Sequence, residues 1–343
     1  MTESALRKGH LDFMVIGAAK SGTTTLFEHL RRHPDVWMPP VKEVPYFCSQ
    51  EYLARNWHDH LREVFADAPS DRLWGTATPQ YMAGTVLSGA NHAPESSREL
   101  IVPARIHSQL PNLRLVAILR DPVERCVSAY RMSVRRGLEQ RSAAEAIEQL
   151  LTNEELEQAR REPTDQNGHV VIGEYARILE AYYSTFAPEQ LLVVFTNELN
   201  QNPLGTMRRV FSHISANPEF VPPNIEARYQ PVNARAHSPR FDPDRLRAHA
   251  GSTLPIVRSL WRRLPATTRE RIDRGYGNLV YRSRLWNRNT AMSAADELPP
   301  PTRSALVAHY HTELGTLTAL LGCAPPWADG HARAIDVEDR SHI

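Results

Sequence analysis

Cysteine is nearly missing from this sequence: Cys48, Cys126 and Cys323 stand far apart in 343 residues. They suit a reducing compartment, with the cytoplasm expected, better than a disulfide scaffold, and they form no metal-ligand spacing. Net charge is equally slight. Forty lysines and arginines face 39 acidic residues, a balance of +1, so no global field directs the chain to nucleic acid and none is expected as a partner. No run of about 18 apolar residues occurs, and Met1 to His10 carries no apolar core of a signal peptide. A soluble, unexported protein is expected, with peripheral contact at a membrane left open. Carboxylate clusters of the magnesium-binding kind are absent, as are internal repeats and low-complexity tracts.

What remains is ordinary for a globular protein: 41% hydrophobic and 23% charged residues. The length suffices for one large α/β domain or two smaller ones. The informative stretch is Leu11–Leu26. Phe13 to Ile16 is an apolar run fit for a buried parallel strand. Gly17 to Gly22 is small and glycine-bounded, and Thr23 onward spaces Leu26, Phe27 and Leu30 as a helix does. Strand, glycine loop and helix together point backbone N–H groups and a positive helix end at an anion. A nucleoside-triphosphate loop reads G-x-x-x-x-G-K-[ST]. Here Thr23 follows Gly22 and the lysine, Lys20, sits inside the loop. The other reading is a plain strand–helix turn carrying a solvated lysine.

Further along, three prolines, Pro39, Pro40 and Pro45, fix the chain around Glu43, so a carboxylate could be held in one place. A surface pair with Lys42 is the commoner fate of such neighbours. Residues 50–67 read as an amphipathic helix and Trp74–Ala77 as a short strand. Residues 84–99 are polar and turn-rich, a candidate mobile loop or lid. Leu113–Arg120 is a second buried strand, stopped by Asp121-Pro122 and followed by a helix from Val123 to Arg136. Arg120 therefore lies at a strand's carboxyl end, where open α/β sheets bind ligands. An arginine there offers a planar fork to phosphate and Ser128 a hydroxyl, or Arg120 simply pairs with Asp121 or Glu124. Gly173–Phe186 reads as a helix, Leu191–Phe195 as a third buried strand, Pro203–Ile214 as a helix. Leu298–Leu321 reads as one final helix capped by Gly322, and 328–343 as a frayed tail. Alternation of strand and helix predicts a parallel sheet with helices on both faces. Between Arg240 and Arg288, arginine outnumbers acid by about three to one, interspersed with Trp261, Tyr276, Tyr281 and Trp286. That patch suits an anionic glycan, lipid head groups or nucleic acid, or is a solvated helical surface.

Four stretches, Lys20-Ser-Gly-Thr-Thr24, Lys42-Glu-Val-Pro-Tyr-Phe47, Arg120-Asp-Pro-Val-Glu-Arg-Cys-Val-Ser128 and Asn233-Ala-Arg-Ala-His237, resemble sulfotransferases that use 3′-phosphoadenosine 5′-phosphosulfate (PAPS). The likeness is to the type-2 carbohydrate group, which includes the heparan sulfate sulfotransferases and bacterial relatives, and covers roughly residues 11–240. It implies a P-loop-NTPase-like three-layer α/β/α fold with a central parallel sheet. It implies one domain over 10–327, interrupted by a basic, mostly helical insertion at about 241–297 and followed by the tail. Residues Lys20, Ser21, Gly22, Thr23 and Thr24 would hold the 5′-phosphosulfate. Arg120 and Ser128 would hold the 3′-phosphate, and Glu43 would be the acceptor's general base.

PAPS would be the co-substrate and no metal would be required. The acceptor would be a hydroxyl or amine of a carbohydrate, glycolipid or secondary metabolite. Three departures stand out. Pro45 replaces a histidine of the heparan 3-O branch, and Ala77 replaces a lysine found before Thr78-Pro79 in many members. Asn233 replaces a lysine, which leaves Arg235 as the cofactor contact in that loop. Should Glu43 not be the base, His237 is the next candidate. Readings outside this family are a P-loop kinase or phosphotransferase, and a non-catalytic nucleotide- or nucleic-acid-binding protein.

Overall fold

A computed structural model describes residues 11–49, 51–83, 98–229 and 297–341. All elements described below belong to one compact unit, built from the chain up to Ala227 and from Ala294 onward. Five strands form its centre: β1 Phe13–Gly17, β2 Val36–Trp37, β3 Leu73–Ala77, β4 Arg114–Leu119 and β5 Leu191–Phe195. They lie in the order β2-β3-β1-β4-β5, and every pairing is parallel.

The period of two along each strand sends alternate side chains to opposite faces. Phe13, Val15, Ala77, Val116, Ile118 and Val194 meet Leu26, Phe27, Leu30, Met207, Val210 and Phe211 from the helices Thr23–Leu30 and Pro203–His213. Met14, Ile16, Leu115, Ala117 and Leu119 meet Val102, Ile106, Ile178, Leu179 and Tyr182 on the other face. Helices Arg98–Gln109 and Tyr175–Tyr183 supply that second layer. Fully buried strands explain why β1, β4 and β5 read as continuous apolar runs rather than as alternating ones. The sheet is thus the three-layer α/β/α arrangement expected.

Some boundaries differ from the sequence reading. The 50–67 helix is two, Glu51–Ala54 and Trp57–Val64, because the Asn56 side chain caps the second by accepting from Asp59 N–H. The expected Leu298–Leu321 helix is also two, Pro300–His311 and Leu314–Leu321. At the break the Thr312 hydroxyl donates to the His309 carbonyl at 2.7 Å, competing with the helical ladder. Gly322 does cap the second, with φ 69°. Residues read as a frayed tail form the helix Ala328–Ser341, with His331 buried. Strand β2 went unseen, since two residues carry no period. The loop at 84–97, the Asn233–His237 motif with Arg235 and His237, and the basic stretch 241–296 lie outside the described residues.

Candidate active site

The Gly17–Gly22 loop leaves the carboxyl end of β1, the middle strand, and enters the Thr23–Leu30 helix. A side chain at Gly17 would place its Cβ 2.5 Å from Met82 Cβ, so the close approach demands glycine. Gly22 turns the chain with φ +104°. Between them Lys20 has φ 69°, a left-handed conformation uncommon for a residue with a side chain and concentrated at functional sites. The helix beyond begins with no side-chain cap and no acid in its first turn, an end suited to an external anion. Ala18 N–H donates to Ile118 O at 2.8 Å. The Thr196 hydroxyl lies 2.5 Å from Ser21 O and 3.0 Å from Leu119 O, tying the loop to the tips of β4 and β5.

The Pro122–Arg135 helix follows β4 and lays one face along this loop. Arg125, Ser128, Met132 and Arg135 recur at spacings of three and four, which align on a helix. Met132 Sδ is 3.6 Å from Lys20 Nζ. Partial burial and then the charges of Arg135, Arg136, Arg120 and Arg125 push the Lys20 ammonium down to about 8. Among the described residues no carboxylate lies within ion-pair distance of Lys20. Four guanidinium groups bear on one lysine, an arrangement that favours occupation by a multiply charged anion.

Arg120 stands at the end of β4 with its side chain about one quarter exposed. Burial lowers its pKa, partly offset by Glu124, whose Oε2 is 3.5 Å from Nη2. Glu124 also pairs with Arg303 at 2.8 Å. Asp121 is taken up elsewhere: its Oδ1 accepts from the N–H groups of Val123 and Glu124 and so caps the helix. Ser128, 2% exposed, has an Oγ with no hydrogen-bond partner. Fully buried Arg125 donates to the His169 carbonyl and keeps an unpartnered Nε. Buried polar atoms are normally satisfied, so the Ser128 hydroxyl, on the helix that follows Arg120, is a donor left open to a ligand. Ser21 Oγ is likewise buried and faces the Tyr175 phenol.

Glu43 has exposed surface and sits between two donors. Lys42 Nζ is 3.0 Å from Oε1, and Gln80 Nε2 donates to Oε2 at 2.7 Å. Burial alone would raise its pKa. The Lys42 charge and the Gln80 bond outweigh it, with Arg136 adding to them, and the result is a lowered pKa. The Arg136 charge bears on both Glu43 and Lys20. The segment is fixed behind Glu43 by Val44 N–H donating to Thr78 Oγ1 at 3.0 Å and by Tyr81 Oη donating to Val44 O at 2.5 Å.

The structure therefore sets Lys20, Ser21, Gly22, Thr23 and Thr24 at the carboxyl end of β1, Arg120 at that of β4 and Ser128 on the helix that follows it, while Glu43 shares with Lys20 only the influence of Arg136. Sequence reading passed over Gln80, Arg125, Met132, Arg135, Arg136 and Tyr175. Arg125 and Arg135 could have been found from helical spacing behind Ser128. Gln80 gave no signal, because its partner is 37 positions away.

The site is a strand–loop–helix cradle with its lysine inside the turn, in a chain that also carries an arginine at the end of β4 and a serine eight residues on. The chain belongs to the sulfotransferase-domain family, whose model matches residues 10–230. It is 35% identical over 123 residues to the membrane-associated sulfotransferase kil1 of Dictyostelium discoideum, covering 36% of this chain and 23% of that protein. Human carbohydrate sulfotransferase 15 is 26% identical, over 60% of this chain and 44% of its own length. Mouse heparan sulfate glucosamine 3-O-sulfotransferase 3B1 is 29% identical, over 57% and 44%. The matches thus span less than half the length of these relatives. The crystal structure of a sulfotransferase from Alicyclobacillus acidocaldarius shares the fold, with TM-score 0.59 at 20% identity, over 92% of this chain and 97% of that one. Among the described residues no helix is long and apolar enough to cross a membrane.

Proposed function

We propose that this protein moves the sulfuryl group of PAPS to a hydroxyl or amine of a carbohydrate, glycolipid or secondary metabolite. Adenosine 3′,5′-bisphosphate would be released. One observation carries the reading: Lys20, left-handed in a glycine-bounded loop, is pressed by four arginines, and among the described residues no carboxylate pairs with it. A nucleotide with phosphates at both ends of its ribose supplies the missing charge. The 20–24 loop and the helix end would take the 5′-phosphosulfate. Arg120 and the unpartnered Ser128 hydroxyl would take the 3′-phosphate. Arg235 is assigned to the nucleotide on resemblance alone.

In the reaction the acceptor oxygen or nitrogen bonds to sulfur while the sulfur–oxygen bond to the 5′-phosphate breaks. The bonding pair goes to that phosphate oxygen, where the Lys20 ammonium steadies the growing charge. The acceptor proton passes to Glu43, which its lowered pKa keeps ionised at neutral pH. Help of this kind is worth about 10²–10⁴-fold in rate. Sulfuryl transfer shares the loose, positioning-dominated character of phosphoryl transfer, and a sulfuryl group carries less charge than a phosphoryl, so lysine and backbone amides suffice in place of a metal.

Carbohydrate acceptors are supported by the names of the relatives carbohydrate sulfotransferase 15 and heparan sulfate glucosamine 3-O-sulfotransferase 3B1. The arginine-rich stretch at 241–297, read as an insertion in a single 10–327 domain, is assigned to acceptor recognition. Scarce cysteine supports work in a reducing compartment such as the cytoplasm. Calorimetry compares adenosine 3′,5′-bisphosphate with ATP. The bisphosphate should bind at least tenfold more tightly (about one decade in Kd), and equal or tighter ATP binding would contradict the assignment.

A further inference from the structure

The helix Ala328–Ser341 lies about 100 positions beyond the end of the family match, yet its start closes on the turn that carries Arg120. His331, 5% exposed, donates from Nε2 to Asp121 Oδ2 at 3.3 Å. Asp121 directly follows Arg120, and its other oxygen already caps the next helix. At the peptide bond between Arg120 and Asp121 the Tyr175 phenol donates to the Arg120 carbonyl at 2.9 Å. Trp327, 8% exposed, covers that tyrosine with ring centroids 6.0 Å apart. It also meets Phe195 edge-on at 5.7 Å, at the end of β5, next to the Thr196 hydroxyl that holds Ser21. The Arg120–Asp121 junction is thus held by one short C-terminal segment, directly through His331 on Asp121 and indirectly through Trp327 against Tyr175.

We propose that Trp327 and His331 are positioning residues for the nucleotide site: they fix the Asp121 and Tyr175 contacts that set the direction of the Arg120 guanidinium. The proposal rests on Arg120 being a ligand of the nucleotide's 3′-phosphate. Their contacts run to Asp121, Tyr175 and Phe195 and not to Lys20 or Glu43, so the contribution belongs to binding rather than to turnover. Arginine recognises phosphate through a fixed fork, and a turn free to swing loses that geometry before it loses the fold.

The test is a double-mutant cycle on the full-length protein, titrated calorimetrically with adenosine 3′,5′-bisphosphate. His331→Leu, which removes one hydrogen bond to a charged group, should weaken binding roughly five- to tenfold. His331→Gln, which keeps an N–H donor, should recover most of it, and Trp327→Leu should weaken binding in the same sense. In an Arg120→Ala background His331→Leu should cost little more, because its effect runs through Arg120. With PAPS and a working acceptor, KM for PAPS should rise while kcat holds. Unchanged binding in His331→Leu, or an undiminished loss in the Arg120→Ala background, overturns the positioning role alone. Failure of the wild-type protein to bind the bisphosphate overturns the sulfotransferase reading and this proposal with it.

Discussion

Lys20 holds its proton loosely because burial and four neighbouring guanidinium groups all favour the neutral amine, to about pH 8. A bound phosphosulfate reverses that balance and draws the proton back. Above pH 8, affinity for adenosine 3′,5′-bisphosphate should therefore fall by about tenfold per pH unit, as binding must take up one proton. Calorimetry at pH 7, 8 and 9 checks this, and Lys20→Met should bind weakly with the slope removed. The carboxylate obeys the same logic from the other side. Glu43 is kept ionised by Lys42 and Gln80, so Gln80→Leu should move its pKa up. A ¹³C-carboxyl titration reads that shift directly, independent of turnover. Glu43→Gln should lower kcat by about 10²-fold or more, and near wild-type kcat would pass the role of base to His237. These side chains were legible to different degrees. Lys20, Arg120 and Ser128 sit within short motifs beside strand ends, whereas Gln80 reaches Glu43 only through the fold.

The elements around the site are held by contacts of two kinds. β1, β4 and β5 were readable because strands buried on both faces concentrate apolar residues, while the two-residue β2 pairs with β3 and leaves no pattern. Helix breaks at Asn56 and Thr312 depend on single side chains that compete with the ladder, so periodicity alone runs through them. The strongest polar junction joins three helical segments. Glu174, 1% exposed, accepts from Arg160 at 2.7 and 3.0 Å, from Arg177 at 2.7 Å and from His309 at 3.1 Å. Burial alone would raise its pKa, but the hydrogen bonds from His309 and Arg160 and the charges of Arg177 and Arg160 outweigh it and bring the carboxyl to about 2. A carboxyl lowered from its unfolded value stabilises the fold in full above that value, near 4.5, and loses the contribution as pH falls towards 2. Thermal unfolding from pH 6 to 2 should show wild type losing more stability than Glu174→Gln. At neutral pH the variant should be less stable by about 3 kcal/mol, since two guanidinium groups lose their buried partner.

Across the whole molecule the proposed nucleotide site draws on the chain's first hundred residues, its middle and the stretch after residue 300. Gly17–Gly22, Arg120–Ser128 and Trp327–His331 meet at the carboxyl ends of β1, β4 and β5. The first two were visible as motifs. Of the third, residues 328–331 read as tail, since a contact between His331 and Asp121 spans 210 positions and leaves no local trace. Acceptor choice is assigned to a different part of the chain. Replacing Arg262, Arg263 and Arg271 together with alanine in the full-length protein should raise KM for the acceptor several-fold, roughly one charge contact each. Affinity for adenosine 3′,5′-bisphosphate should stay within about twofold, as the changed residues are not assigned to the nucleotide.

Transfer of ³⁵S-labelled sulfuryl from PAPS into an extract of cellular glycans and small metabolites tests the central assignment most directly, with the product identified by mass spectrometry. Wild-type protein should yield a labelled acceptor and one adenosine 3′,5′-bisphosphate per sulfuryl moved, and Lys20→Met should lower the rate by at least about 10²-fold. Label that stays on the nucleotide across every fraction, or transfer that survives Lys20→Met at the wild-type rate, would contradict it.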